Sequence, residues 1–369
     1  MIYFDNGATT ALKPKCVLRA VKDAMKHAGG NAGRGGHILS QKASDIVYSA
    51  RESVCRLFNI DNPERVCFTN NATSALNFGI KGIVKRGDHI IISKLEHNSV
   101  LRPVEKLRSY GVDYDVSDAK NIENYIRGNT KLIVINHASN VTGEIQDIES
   151  ISKIAHKYGI IFMVDASQSA GHINVDVKRQ GIDVLACAGH KGLFGPQGSG
   201  ILYVKDGIIP DTIIEGGTGS LSELLTQPLI MPDRLEAGTL NVPAIAGLKA
   251  GIDYVLETGQ NEIRNHELEL THRFMQYVKQ KENITLYGPY CVLDKVGITG
   301  INIKGWDSVS LSTYLSDTGG ICTRGGLHCS YLAHKHLGTL DNGILRISFS
   351  YLNTIKEVTK LINFIDRID

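Results

Sequence analysis

The feature that most constrains this chain is an alternation. Through its first two-thirds, short apolar runs rich in β-branched residues take turns with segments of helical periodicity. The strand-like runs are 65–69, 88–93, 131–136, 160–164, 183–187 and 200–204. The helical pattern runs through 13–27, 40–58, 73–84 and 147–158. Alternation of this kind predicts crossover units and a mostly parallel sheet, with helices hiding both faces. Such sheets bind ligands at the carboxyl ends of their strands. Asn140, Asp165, Gln168 and Lys191 each closely follow a strand-like run, so one end of the sheet is expected to gather them.

The last third reads differently. Two long helices are predicted over 243–257 and 260–281, strands over 284–287, 295–304, 320–323 and 345–349, and helices over 307–317 and 354–368. That pattern implies a smaller α+β domain. A length of 369 residues suits about two domains. The expected division is a large domain over 13–250 and a small one over 251–369, joined by an N-terminal segment, 1–12.

Charge and composition narrow the function. A net charge of +2 gives no reason to expect nucleic acid or an anionic membrane as partner. No apolar run approaches the length that spans a bilayer. The opening residues Met1 to Asn6 do not read as a signal peptide, and the expected location is cytoplasmic. Seven cysteines form no CxxC pair, which fits a reducing compartment and predicts no metal site.

Several residues carry chemistry. Lys191 lies between His190 and a Gly- and Pro-rich turn, just past an apolar run. A lysine there can be held over a flat cofactor, and its amine can form a Schiff base with pyridoxal phosphate. Asp165 ends another run; a carboxylate so placed needs a partner, and a pyridinium nitrogen is one. Gln168 is placed to bond the ring oxygen. Thr73 and Ser74 open a predicted helix whose free N–H groups suit a phosphate, and His190 can add a further bond. The flat ring of His97 can stack on a pyridine and move protons. Cys329 lies in a glycine-rich loop beside His328 and near Arg324, surroundings expected to favour its thiolate. Arg346 begins a small-domain strand and can fork onto a substrate carboxylate, with Arg324 as a second candidate.

In order along the chain, these motifs resemble the aminotransferase class V family, and within it the cysteine desulfurases and selenocysteine lyases. The likeness runs from Phe4-Asp5-Asn6-Gly7-Ala8-Thr9-Thr10 to the Arg346–Thr354 segment. It implies the fold type I architecture of pyridoxal-phosphate enzymes, with a mostly parallel seven-stranded sheet. It also implies a homodimer with active sites at the subunit interface. Under this likeness Lys191 holds the cofactor, Asp165 pairs with the ring nitrogen, Gln168 with the ring oxygen, and His97 stacks on the ring. Thr73, Ser74 and His190 hold the phosphate, and Thr239 reaches the phosphate of the neighbouring subunit. Arg346 anchors the carboxylate of a small amino-acid substrate, Asn140 touches substrate, and Cys329 accepts sulfur as a persulfide. The Arg-Gly-Gly-Leu-His-Cys form of the cysteine loop resembles the group with a short, ordered loop, in which a sulfur-acceptor protein speeds release.

Three positions depart from the family pattern. Gly7 replaces a common alanine, Ala188 a phosphate-binding serine, and Gly33-Arg34 stands where a substrate-side histidine is frequent. The resemblance therefore implies a cysteine desulfurase. Selenocysteine lyase, cysteine sulfinate desulfinase and a class V aminotransferase of other specificity are the alternatives.

Overall fold

The structure is a computed structural model and describes residues 1–33 and 35–368. The chain opens with β1 (Ile2–Tyr3), α1 (Lys15–His27) and α2 (Ile38–Phe58), then enters the alternating region. There follow β2 (Val66–Thr69), α3 (Ala72–Ile83), β3 (His89–Ser93), α4 (Asn98–Arg108), β4 (Asp113–Ser117) and β5 (Thr130–Asn136). The region closes with α5 (Ile148–Lys157), β6 (Ile161–Asp165), β7 (Val184–Ala188) and β8 (Gly200–Val204).

These seven strands, β2 to β8, form one sheet in the order β2-β8-β7-β6-β5-β3-β4. Only β8 runs against its neighbours; every pairing from β7 through β4 is parallel. Alternate side chains feed two separate cores. Ile91, Ile133, Ile135, Phe162 and Val164 join one cluster with α2, α5 and α6 residues. Ile90, Ile92, Leu132, Val134 and Met163 join the other, with α3 and α4 residues. Both faces are therefore covered, which is why β3, β6 and β7 read as unbroken apolar runs. The helix α3 lies very close to the sheet. A Cβ on Gly79 would stand 2.5 Å from Met163 Cε, so a larger residue there would push the methionine aside.

Beyond β8, residues 205–241 cross the surface without helix or strand. Then come α6 (Val242–Thr258) and α7 (Gln260–Val278), followed by β9 (Ile284–Tyr287), β10 (Ile298–Ile303) and α8 (Ser308–Gly319). The chain ends with β11 (Ile321–Cys322), α9 (Tyr331–Leu337), β12 (Leu345–Ser348) and α10 (Ile355–Ile365). An antiparallel sheet, β12-β10-β9, packs with α7, α8 and α10 around a third core. Residue 250, where sequence divides the domains, falls inside α6.

The strand expected near 320–323 is β11, which pairs in parallel with β1. Two expectations need correction. The run 295–304 is strand only over β10, because Lys295 and Val296 bridge to the 143–145 turn instead. The helix expected from residue 13 begins at Lys15, since Pro14 holds an extended ψ of 144° as its N-cap.

The N-terminal segment is a strap. It starts in β1 against β11, and Asn6 Nδ2 donates to the Ser348 carbonyl at 2.8 Å. It then crosses to the large sheet. Thr10 Oγ1 donates to the Lys191 carbonyl at 3.0 Å, and Lys13 Nζ to the His190 carbonyl at 2.9 Å.

Candidate active site

The carboxyl ends of β5, β6 and β7 form the floor of a cavity of about 180 Å3. Asn136 and Asp165 sit side by side in register there. Lys191, His97, Gln168, Asn140, His190 and Thr73 line the same cavity. Six of the residues picked from sequence thus converge with Asp165 in one place.

Asp165 is 6% exposed, and its Oδ1 accepts the Ser167 N–H at 2.9 Å. Lys191 follows β7 in a turn closed by the Phe194 N–H to its carbonyl at 2.9 Å. Burial pushes the Lys191 amine down to about 8. The charges of Arg346 and Arg324 push the same way, and Asp165 opposes them. An amine so placed is partly unprotonated near neutrality, as a base or nucleophile requires.

His97 is the N-cap of α4, with Nδ1 accepting the Ser99 N–H at 3.0 Å. Ser99 Oγ lies 2.9 Å from Nδ1 and 2.7 Å from Thr73 Oγ1, so His97 and Thr73 share a hydroxyl. Burial pushes the imidazole down to about 4, with Lys191 adding to the effect. The ring is therefore neutral at neutral pH, an acceptor at Nδ1.

At the start of α3 the two hydroxyls part company. Asn71 caps α3, and its Oδ1 accepts both the Ser74 N–H (2.9 Å) and the Ser74 hydroxyl (3.2 Å). Ser74 faces a neighbouring cavity of about 140 Å3, shared with Thr69, Asn70 and Thr239. Thr73 faces the first cavity, and the N–H groups of Ala72 and Thr73 begin the helix with no preceding turn to bond. His190 Nδ1 is 3.0 Å from Thr9 Oγ1, and burial pushes its imidazole down to about 4. Gln168 Nε2 donates to the Gly7 carbonyl at 2.8 Å, leaving one N–H and its own carbonyl for a ligand. Ala188 lines the cavity and brings no hydroxyl.

Arg346 is buried, not a surface ion pair. Its NH2 reaches Asp5 Oδ1 at 2.7 Å and its NH1 the Asn140 carbonyl at 3.0 Å, while Nε has no partner. A Cβ on Gly7 would stand 3.2 Å from its Cζ and 3.3 Å from its Nε. The glycine at that position gives the guanidinium its room. Arg324 lies alongside, its backbone bridged to that of Arg346.

Cys329 is exposed and sits on a left-handed turn, with φ of 57° after 49° at His328. The turn is clamped to the large sheet. The Asn98 N–H donates to the Cys329 carbonyl at 2.7 Å, and Asn140 Nδ2 to the His328 carbonyl at 2.8 Å. His328 does not assist the thiol as expected. Its ring is buried, Nε2 donates to the Ile344 carbonyl at 2.9 Å, and burial pushes the imidazole far down, so it carries no positive charge. Cys322 is half-buried in β11. Gly33, at φ 72°, donates its N–H to Ser44 Oγ at 2.9 Å, and a Cβ there would meet nothing within 4 Å; Arg34 lies outside the described residues.

Sequence reasoning missed Ser99, Asn71 and Asn136, which all line the cavity. The polar triplet His97-Asn98-Ser99 was the available signal, since it reads as a helix start.

Pyridoxal phosphate fits this donor set. It carries an aldehyde for the amine, a basic ring nitrogen for the buried carboxylate, and a phosphate for the open helix start.

Comparison with known proteins agrees. The family model for aminotransferase class-V matches residues 2–361. A probable cysteine desulfurase of Methanothermobacter thermautotrophicus is 34% identical, over 98% of this chain and 92% of that protein. An apo cysteine desulfurase structure from Thermococcus onnurineus NA1 superposes with a TM-score of 0.93 at 33% identity, covering 100% of this chain and 94% of that one. The cysteine desulfurase CsdA of Escherichia coli gives 0.87 at 28% identity, covering 99% and 94%.

Proposed function

This chain belongs to the aminotransferase class-V family, and from that premise we propose that it is a pyridoxal-phosphate-dependent cysteine desulfurase. It converts L-cysteine to L-alanine and keeps the sulfur on Cys329. The observation that carries this reading is an exposed cysteine on a turn clamped to Asn98 and Asn140, the latter lining the cavity of Lys191 and Asp165.

When bound, the cofactor supplies an electron sink next to the substrate α-carbon. The residues of this chain do the rest. Asp165 would hold a proton at the ring nitrogen, with the neutral imidazole of His97 and the amide of Gln168 as the ring's other partners. Thr73 and the start of α3 would hold the phosphate, with His190 as a further donor. Ser74 and Thr239 line the adjoining cavity, where Thr239 would reach the phosphate of a second subunit. Arg346 takes the substrate carboxylate, with Asn140 and Arg324 flanking it. Lys191 Nζ removes the α-proton. Cys329 Sγ then attacks the substrate sulfur as a thiolate. An S–S bond forms, the C–S bond breaks, and its electron pair returns to the carbon skeleton, which is protonated to alanine.

Residues 1–12 with 13–250 and 251–369 are assigned as strap, large domain and small domain. The working unit is a homodimer. Ile209, Ile214, Leu225, Leu229 and Ile230 are exposed on the irregular 205–241 stretch, an apolar surface that suits a second copy. The persulfide passes to an acceptor protein in the cytoplasm. Among the described residues no helix is long and apolar enough to cross a membrane.

The test is Cys329→Ala with L-cysteine as substrate. Alanine release should fall by about a hundredfold or more, the loss of a covalent nucleophile, while cofactor absorbance persists. Alanine production at the parent rate would overturn the role of Cys329. A keto acid product in place of alanine would overturn the reaction itself.

A further inference from the structure

Glu96 is wholly buried, one residue before His97. Its Oε1 accepts the Ser93 hydroxyl at 2.5 Å, at the end of β3, and the Asn136 N–H at 2.8 Å, at the end of β5. Its Oε2 is buried and has no hydrogen-bond partner. Among the described residues no lysine, arginine or histidine pairs with it. A like charge, Asp165 on the neighbouring β6, acts on it. Asn136 is the register partner of Asp165, and its side chain also donates to the Leu95 carbonyl at 2.8 Å. His97, on the other side, is neutral.

We propose that Glu96 is a positioning residue that acts as an uncharged carboxylic acid. It ties the ends of β3 and β5 together at the floor of the cavity, where Asn136 and Asp165 sit. A carboxylate with one bare oxygen and a like charge nearby is the costly alternative, and buried groups avoid it by keeping their proton. Burial pushes this carboxyl up to about 8, which agrees with the geometry. The inference rests on the reading above only in taking the cavity as the cofactor site.

Two measurements test it. The first is infrared spectroscopy of the cofactor-free protein at neutral pH. The carbonyl stretch of a protonated carboxylic acid should be present and should vanish in Glu96→Gln. No Glu96-dependent acid band would overturn the proposal, and this result does not depend on the bound cofactor. The second is rebinding of pyridoxal phosphate. Glu96→Gln keeps both acceptor contacts and should bind within about threefold of the parent, whereas Glu96→Ala should lose about tenfold or more. Glu96→Gln weakening binding by about tenfold or more would overturn the proposal even if the alanine variant fails to fold. Failure of the parent protein to bind the cofactor would instead count against the assignment of the cavity.

Discussion

The depressed basicity of Lys191 can be measured directly in the cofactor-free protein. An amine lowered from 10.5 to about 8 changes its reactivity greatly at ordinary pH. At pH 7.5 an unperturbed lysine is about 0.1% unprotonated, against about a quarter for one at 8, a gain of roughly 240-fold. The assay is competitive reductive methylation with formaldehyde across a pH series, read by mass spectrometry of the Lys191 peptide against surface lysines such as Lys26. Labelling of Lys191 should rise with a midpoint near 8. Burial is the largest cause, so the charge variants should act as corrections to it. Arg346→Gln removes a neighbouring positive charge and should move the midpoint up. Asp165→Asn removes the opposing carboxylate and should move it down. If Lys191 titrated with the surface lysines, or if both variants moved the midpoint the same way, the electrostatic account of this site would be wrong.

Two further outcomes concern stability. Arg51 and Glu236 form a buried bidentate pair, 2.6 and 2.9 Å, and Glu236 also accepts the Phe68 N–H. Arg51→Met alone should lower stability by about 3–5 kcal/mol in urea unfolding, while adding Glu236→Gln should recover much of that, because no bare charge remains. Lys295 is wholly buried, its Nζ has no hydrogen-bond partner, and burial pushes its amine down to about 8 from 10.5. A lysine depressed in the fold destabilises fully below pH 8, and the penalty fades as pH rises through 10.5. Lys295→Met should therefore stabilise the protein by about 3 kcal/mol at pH 7, and the gain should shrink between pH 8 and 10.5; a constant gain would point to packing instead.

The legible parts of the fold were those where one physical signal dominates. Runs such as Ile90-Ile91-Ile92 and Phe162-Met163-Val164 are apolar throughout because both sheet faces are covered. The strand β4, Asp113-Tyr114-Asp115-Val116-Ser117, was hidden because an edge strand is half-exposed and polar. The helix α4 was hidden by Pro103 within it and by its many charges, and α9 by its seven-residue length. The reversed direction of β8 leaves no trace in composition. At the site, Lys191, Asp165 and Arg346 stood out because each places a charge beside a strand. What escaped was orientation. Ser74 turns to its own cap, Asn71, three residues back, while His328 turns into the core toward a partner distant in sequence, Ile344.

The N-terminal strap carries a consequence for how this protein can be re-engineered. It begins beside β11 and fastens to the carbonyls of His190 and Lys191, so it behaves as a tie rod between the two halves of the molecule. A circular permutant with its new ends between Leu12 and Pro14 would keep every core intact and yet sever that rod. Such a permutant should fold, and the loop carrying Lys191 should then exchange amide hydrogens faster, because its carbonyls would be held by a loose end.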